Sequence, residues 1–541
     1  MKRFSWLAFA LIAACGDDNK NTNPTPDSST PVDAPDMASL QSIKNVVVIY
    51  AENRGFDNVY GNFPGANGIP TTGIVKQLDR DGSTLTKLPK SWTGVTSSGF
   101  TPAITEAQSD GLDNAPYSLP TTYATVTTAP YDNTFITRDL YHRFFENQMQ
   151  IDGGTNDLFA AYADSGGLVM GYNDGSNMGL WKLASDFTLA DNFFMGAFGG
   201  SFLNHQYLIC ACAPEYPAAD TSPASTSISV VDMSNGDFTP FLTETMDSPA
   251  SALTGIPKFT LSGNLTPKNY FGDGTWRAVN TMQPPYQPSS NAPATTDTTK
   301  MYADTTKATT LPPQTQKTIG DQLTEKQISW AWYSGAWTAT LTEAMGTHNF
   351  PFPLPPGAAP NFQFHHQPFN YYSFLDPMEH ADARTEHLKD GADLMTDIQN
   401  GTLPAVTFYK PEGDLNQHSG YASVDAGDKH IADLVAKLQA SPQYKDMLII
   451  ITYDENGGWW DHVTPPFGDL LGPGTRIPAI LVGPYVKTHY VDHTQYDTGS
   501  IIRFIEKRFG LSALPGITSR DQGLSANQEA PMGDFTAALQ F

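Results

Sequence analysis

The chain has 541 residues and a formal net charge of -25, with hydrophobic residues at 40%. That apolar share can build a large core and excludes a disordered chain. The acidic balance excludes nucleic acid as a partner, since no basic surface is available to neutralise phosphates. The length fits two or three domains, or one large α/β domain with insertions.

Lys2 and Arg3 precede the apolar run Phe4 to Ala14, and Cys15 follows directly. This is a signal-peptide layout, too short to span a membrane well. Ile12-Ala13-Ala14-Cys15 resembles a bacterial lipoprotein box, which implies cleavage before Cys15 and lipid modification of it. Loss of residues 1–14 removes two positive charges and leaves -25 - 2 = -27. The Asp, Asn, Thr, Ser and Pro of residues 15–38 read as a disordered tether, and residues 39–541 as the folded body. The expected location is the bacterial cell envelope, with the membrane contacted only through the lipid. Oligomeric state is not legible.

Ile43 to Ala51 (IKNVVVIYA) reads as a buried strand ending in Glu52 and Asn53. Asp81-Gly82 marks a hairpin, and residues 89–135 a surface excursion. Asp139 to Gln150 predicts a helix with His142 in its first turns, and Gly179 to Ser185 a second. Gly199-Gly200-Ser201 lets backbone approach a ligand closely, and the serine could N-cap a helix. Cys210 and Cys212 read as two buried thiols, because a disulfide between them would close a very small loop. Residues 213–316 read as an inserted lobe of loops and short strands. From Lys317 onward helices and strands alternate: helix to Lys326, strand Ile328 to Tyr333, strand Pro404 to Tyr409, helix Asp428 to Gln439, strand Ile477 to Val482 and helix Ser500 to Phe509. His365 and His366 sit in an aromatic loop, and His418 follows the strand ending at Tyr409. The fold class is therefore α/β, a mostly parallel central sheet with helices on both faces.

Met447 to Thr452 is an unbroken apolar run that delivers Asp454 and Glu455 to its carboxyl end, where open α/β sheets collect ligands. Paired buried carboxylates are costly unless something positive meets them. Glu52, Asn53, Asp454 and Glu455 thus form a candidate metal or phosphate site. An all-oxygen set favours Ca²⁺, Mg²⁺ or Mn²⁺, with Zn²⁺ still admissible.

ENRGFDNVYGNFPGANGI, beginning at Glu52, resembles the opening signature of the bacterial phosphoesterase family of acid phosphatases and phospholipases C. HRFFENQMQIDGG, DNFFMGAFGGSFLNHQYLICACAP, FHHQPFNYY, NQHSGY and TYDENGGWWDHVTPP resemble its later blocks, in the same order. The form GGSFLNH resembles the acid phosphatase branch. The sequence departs from the family at Gly55, often serine, and at Asn456, often histidine.

The resemblance implies an alkaline-phosphatase-like fold and Ser201 as nucleophile. It implies one divalent metal ion on Glu52, Asn53, Asp454, Glu455 and the Ser201 oxygen. His142, His365, His366 and His418 would surround the phosphate, with His366 or His418 as proton donor and His142 and His365 as binders. A histidine acid must be charged, and an unperturbed one titrates near pH ~6.5, so the expected optimum is acidic. His205, His430 and His462 are read as ordinary structural residues, and Trp459-Trp460 as packing. The expected activity is hydrolysis of small phosphate monoesters through a phosphoserine intermediate. The alternatives are a phospholipase C-type diesterase and a non-catalytic ligand-binding lipoprotein.

Overall fold

The computed structural model describes residues 37–233, 240–350 and 361–541. The signal segment 1–14, Cys15 and the tether up to residue 36 lie outside the described residues. Among the described residues, no helix is long and apolar enough to cross a membrane.

Among the described residues, eight strands form the central sheet. In chain order they are β1 (Asn45–Ala51), β2 (Thr188–Ala190), β3 (Trp330–Ser334), β4 (Leu388–Asp390), β5 (Val406–Lys410), β6 (Met447–Tyr453), β7 (Ala479–Val482) and β8 (Tyr490–Asp492). Their spatial order is β8-β2-β7-β6-β1-β5-β3-β4. The pairings of β7 with β6 and with β2 are antiparallel, and the others are parallel. The mostly parallel α/β class expected from the sequence is what forms.

The apolar runs read as they do because both sheet faces are covered. Val46, Val48 and Tyr50 of β1 pack into one core with Trp330, Trp332 and Phe408. Val47, Ile49 and Ala51 pack into the other with Ile449 and Ile451. Seven helices matter for the site and its support: α1 (Phe144–Ile151), α2 (Gly179–Asp186), α3 (Ser201–Cys210), α4 (Ile319–Glu325), α5 (Gly391–Asn400), α6 (Val424–Ala440) and α7 (Gly499–Phe509). Apolar residues of α3, α4 and α7 join the first core, and those of α2, α5 and α6 the second. Such two-sided burial is what a parallel sheet requires.

Several sequence expectations need correction. The helix expected from Asp139 begins only at Phe144, so His142 lies in the segment before it. Arg143 is extended there (φ -94°, ψ 162°), and its guanidinium is held by the carbonyls of Ser262 and Gly263. Residues 89–135 are not a surface excursion, because Val95, Leu119 and Tyr123 are fully buried in the first core. Ser201 is the first helical residue of α3, and Gly200 holds the N-cap position. Cys210 and Cys212 form a disulfide rather than two thiols. Ala211 between them adopts a left-handed conformation (φ 49°), which folds the chain back so that the two sulfurs meet.

Candidate active site

The site grows from the register of β1 and β6. Ala51 pairs with Tyr453, so the residues that follow leave the sheet side by side: Glu52 and Asn53 beside Asp454 and Glu455. All four are fully buried. The Asn53 and Glu455 amides both donate to Asp454 Oδ1, at 3.1 and 2.9 Å. Asp454 Oδ2 is buried without a hydrogen-bond partner, with His205 Nδ1 3.7 Å away.

Ser201 completes this cluster from the other side. Its hydroxyl lies 3.2 Å from Glu455 Oε1 and 3.4 Å from Asn53 Oδ1. The loop before it is stapled by Asn204, whose side chain accepts from the Ala197 amide and donates to the Ala197 carbonyl. The glycines are needed here. A Cβ on Gly199 (φ +87°) would stand 2.5 Å from the Phe144 nitrogen, and one on Gly200 2.9 Å from the His142 carbonyl oxygen. Small residues thus let the start of α3 press against the His142 segment. No side chain caps α3, so its first amides remain available to an anion, and the helix dipole favours negative charge there.

The histidines divide by their partners. His142 Nδ1 donates to the Leu140 carbonyl at 2.5 Å, and Nε2 lies 3.6 Å from Glu455 Oε1. Burial works against its charge, but Glu455 and Asp139 outweigh burial and push His142 up to about 9. His366 Nε2 is 2.5 Å from Glu52 Oε1. A carboxylate only accepts, so Nε2 carries the hydrogen and neutral His366 has a bare, unpartnered Nδ1. Burial, opposed by Glu52, holds His366 down at about 4. His365 is pulled well below its ordinary value by burial and by His366. The His418 ring stacks on Tyr421 with centroids 4.3 Å apart, and lies 6.0 Å from the His142 ring. Its Nδ1 donates to the Ser419 carbonyl.

Every described residue expected at the site is therefore in one place. Sequence reasoning missed others. His205, read as structural, has its ring 5.3 Å from that of His365, and its Nε2 is buried without a partner. Lys410 ends β5, is fully buried, and sits 2.9 Å from Glu52 Oε1. Asn416 and Tyr421 donate to Glu52 Oε2 at 2.7 and 3.0 Å. The signal for Lys410 was a charged residue directly after a buried strand.

Electrostatics separates the carboxylates. Burial alone would raise Glu52, but His366 and Lys410 hold it well below the usual carboxylate range. Burial raises Asp454 to about 6 against the pull of Lys410. Burial raises Glu455 to about 8 against the pull of His142, with Asp454 adding to the rise. Two crowded carboxylates and an orphaned oxygen beside a hydroxyl and an amide oxygen fit a hard divalent cation. Ligating atoms of Glu52, His365 and His366 also lie within 4.8 Å of one another, as do those of Glu52, His205 and Asp454. A separate cluster of Asp57, Asp461, His462 and Arg476 is closed by its own ion pairs.

The chain resembles Phospholipase C B of Mycobacterium tuberculosis, 29% identical over 174 residues that make up 28% of this chain and 32% of that protein. It resembles a non-hemolytic phospholipase C of Burkholderia pseudomallei, 29% identical over 175 residues, 27% of this chain and 24% of that protein. It also resembles non-specific phospholipase C6 of Arabidopsis thaliana, 29% identical over 147 residues, 22% of this chain and 28% of that protein. The matched segments thus span a third or less of each relative. Among solved structures it is similar to a protein in the alkaline phosphatase superfamily from Vibrio parahaemolyticus, at 11% identity and a TM-score of 0.28 over 64% of each chain. It is similar also to murine ectonucleotide pyrophosphatase/phosphodiesterase 5, at 10% identity and a TM-score of 0.26 over 62% of this chain and 90% of that one. The sequence pattern of the phosphoesterase family matches residues 43–512, and the chain belongs to that family.

Proposed function

We propose that the protein hydrolyses phosphate monoesters through a covalent phosphoserine on Ser201, as a phosphatase tethered to a bacterial membrane by lipid on Cys15. The observation that carries this reading is the Ser201 hydroxyl at the uncapped start of α3, 3.2 Å from Glu455 and 3.4 Å from Asn53.

Glu52, Asn53, Asp454, Glu455 and Ser201 would hold one divalent cation. When bound, that ion offsets phosphoryl charge and makes the serine alkoxide accessible. Ser201 Oγ attacks phosphorus, the ester oxygen leaves, and the first amides of α3 donate to the phosphoryl oxygens. Charged His142 adds a donor on the same side. His418 fits the proton donor to the leaving oxygen better than His366 does. His366 spends its Nε2 hydrogen on Glu52 and is held uncharged by burial. Water then cleaves the phosphoserine, with His418 taking back the proton that it gave.

A second reading, phosphodiester cleavage beside a lipid headgroup, is favoured by the names of the relatives. One assay separates the two: turnover of an aryl phosphate against turnover of a phosphocholine ester, each with wild type and Ser201→Ala. Monoester turnover that vanishes in the variant supports the phosphatase. Diester turnover alone supports the second reading, and turnover undiminished in Ser201→Ala overturns both.

A further inference from the structure

We propose that Tyr421 is a positioning residue for the proton donor: its ring holds the plane of the His418 imidazole, and its hydroxyl ties that ring to Glu52. This rests on the phosphoester-hydrolase reading, with His418 as the group that protonates the leaving oxygen.

A proton donor works only when its ring is aimed, and an imidazole has two side-chain torsions to fix. The first hold on His418 is polar. Its Nδ1 meets the Ser419 carbonyl, which only accepts, so Nδ1 carries a hydrogen and Nε2 is the nitrogen left to pass a proton. One hydrogen bond still lets the ring swing about it. The second hold is the face of Tyr421, stacked at a centroid distance of 4.3 Å with the planes only 18° apart. The backbone makes this possible. The Ala422 amide donates to the His418 carbonyl at 2.9 Å, a single helical turn that puts residues three apart on one side.

Tyr421 is itself anchored. Its ring is buried, and its hydroxyl donates to Glu52 Oε2 at 3.0 Å. Asn416 reaches the same oxygen: its Nδ2 donates there at 2.7 Å, while its Oδ1 accepts the His418 amide at 2.9 Å. The entry of the loop and the tip of Tyr421 are thus pinned to one carboxylate oxygen at the end of β1. Between them Gln417 is left-handed (φ 76°), a costly conformation for a residue with a side chain. Buried Arg54 holds it there, giving Nε and Nη2 to the Gln417 carbonyl at 3.0 and 2.8 Å, and the Tyr453 hydroxyl donates to Gln417 Oε1 at 2.8 Å. Strain held from several sides marks a segment whose geometry serves a site. The orientation of His418 is therefore referred to Glu52, and the proton donor and the phosphoryl-binding groups share one frame.

The test uses the full chain, with divalent metal saturating for every form, and compares an alkyl phosphate with nitrophenyl phosphate. The forms are wild type, Tyr421→Leu, Tyr421→Phe, His418→Asn and Tyr421→Leu/His418→Asn. Tyr421→Leu should slow the alkyl phosphate ~100-fold, as a misplaced donor does, and the nitrophenyl ester less than ~3-fold, because its leaving group needs no proton. Tyr421→Phe keeps the stacking face and should hold the alkyl rate within ~5-fold of wild type. Adding Tyr421→Leu to His418→Asn should cost the alkyl rate less than a further ~2-fold, since nothing is left to position. A side chain that merely fills space would slow both substrates alike. Equal slowing of both by Tyr421→Leu, where His418→Asn spares the nitrophenyl ester, overturns the proposal. So does a full further loss in the double variant, or a Tyr421→Phe no better than Tyr421→Leu. If His418→Asn itself slows both substrates alike, the donor reading falls, and the double variant decides whether Tyr421 acts through His418. Tyr421→Met takes the place of a Tyr421→Leu that does not fold. Nitrogen NMR of the Mg²⁺-loaded, histidine-labelled protein reads the ring without turnover, at pH ~8 where an ordinary imidazole is neutral. The His418 signal, identified by its loss in His418→Asn, should show hydrogen on Nδ1 in wild type and Tyr421→Phe, and exchange between both nitrogens in Tyr421→Leu. An unaltered signal in Tyr421→Leu overturns the proposal even if no phosphoester is turned over.

Discussion

Ser201 Oγ lies 3.2 Å from Glu455 Oε1, and the two residues come from opposite sides of the site. Ser201 starts a helix held down by the Gly199-Gly200 loop, whereas Glu455 leaves the carboxyl end of a central strand. Their proximity is the meeting point of helix layer and sheet. The Ser201→Ala protein should release phosphate from an aryl phosphate at a rate lower by a factor on the order of 10⁴ or more. Its melting temperature should stay near that of wild type, which scanning calorimetry would check.

Metal removal should abolish turnover reversibly. With the ion present at about 100 times its dissociation constant, the folded state should gain about 2.7 kcal/mol. Asp454→Asn should show neither the gain nor the turnover. A chelated protein that keeps full activity would contradict the ion's role.

Leaving groups distinguish the proton donor. His418→Asn should slow an alkyl phosphate far more than a nitrophenyl phosphate, since the latter departs without protonation. His366→Asn should slow both to a similar degree, by disturbing Glu52. Equal losses for both substrates in His418→Asn would remove it from the donor role.

Glu506 offers a pH test remote from the catalytic cluster. Burial raises its carboxyl to about 7, although the Leu514 amide donates to it at 2.7 Å. Its folded value lies above the ordinary one, so the folded state holds the proton more tightly. The associated stability is present below the unfolded value near 4.5 and is lost as pH rises toward 7. Glu506→Gln keeps the acceptor and removes the charge. It should raise stability by about 2 kcal/mol at pH ~8 and change little at pH ~4, read from urea unfolding at both.

Gly199→Ala should damage the site through the backbone. The new methyl would have to fit at φ +87° and 2.5 Å from the Phe144 nitrogen. A loss of about 2 kcal/mol or more is expected, with loss of turnover at temperatures where the protein is still folded. Circular dichroism melts alongside assays would check both.

The core strands were legible because two-sided burial leaves an unbroken apolar run, as in VVVIYA and LIIITY. Their carboxyl ends were legible because charged and amide oxygens follow at once. Lys410 was not, since a lysine after a strand is usually solvated, and only Glu52 across the sheet gives it a reason to be buried. His205 was passed over because nothing local distinguishes it; its neighbours are Tyr50 of β1, Trp332 of β3, Asp454 after β6 and the His365 loop. The helix over Asp139 to Gln150 was placed too early because periodicity does not register Arg143, whose carbonyl partners lie more than a hundred residues away in sequence. The disulfide was misjudged because the left-handed turn at Ala211 is a tertiary outcome, set by no glycine.

The pairing of Ala51 with Tyr453 makes strand alignment part of the chemistry. Shifting β1 by one position against β6 would turn its side chains to the opposite face and carry Glu52 away from Lys410. Single-residue deletions inside either strand should therefore silence the protein even where a compact fold survives. Evolution and engineering alike are left to vary this molecule at its loops, because the spacing of its two central strands measures out the distance between its reacting groups.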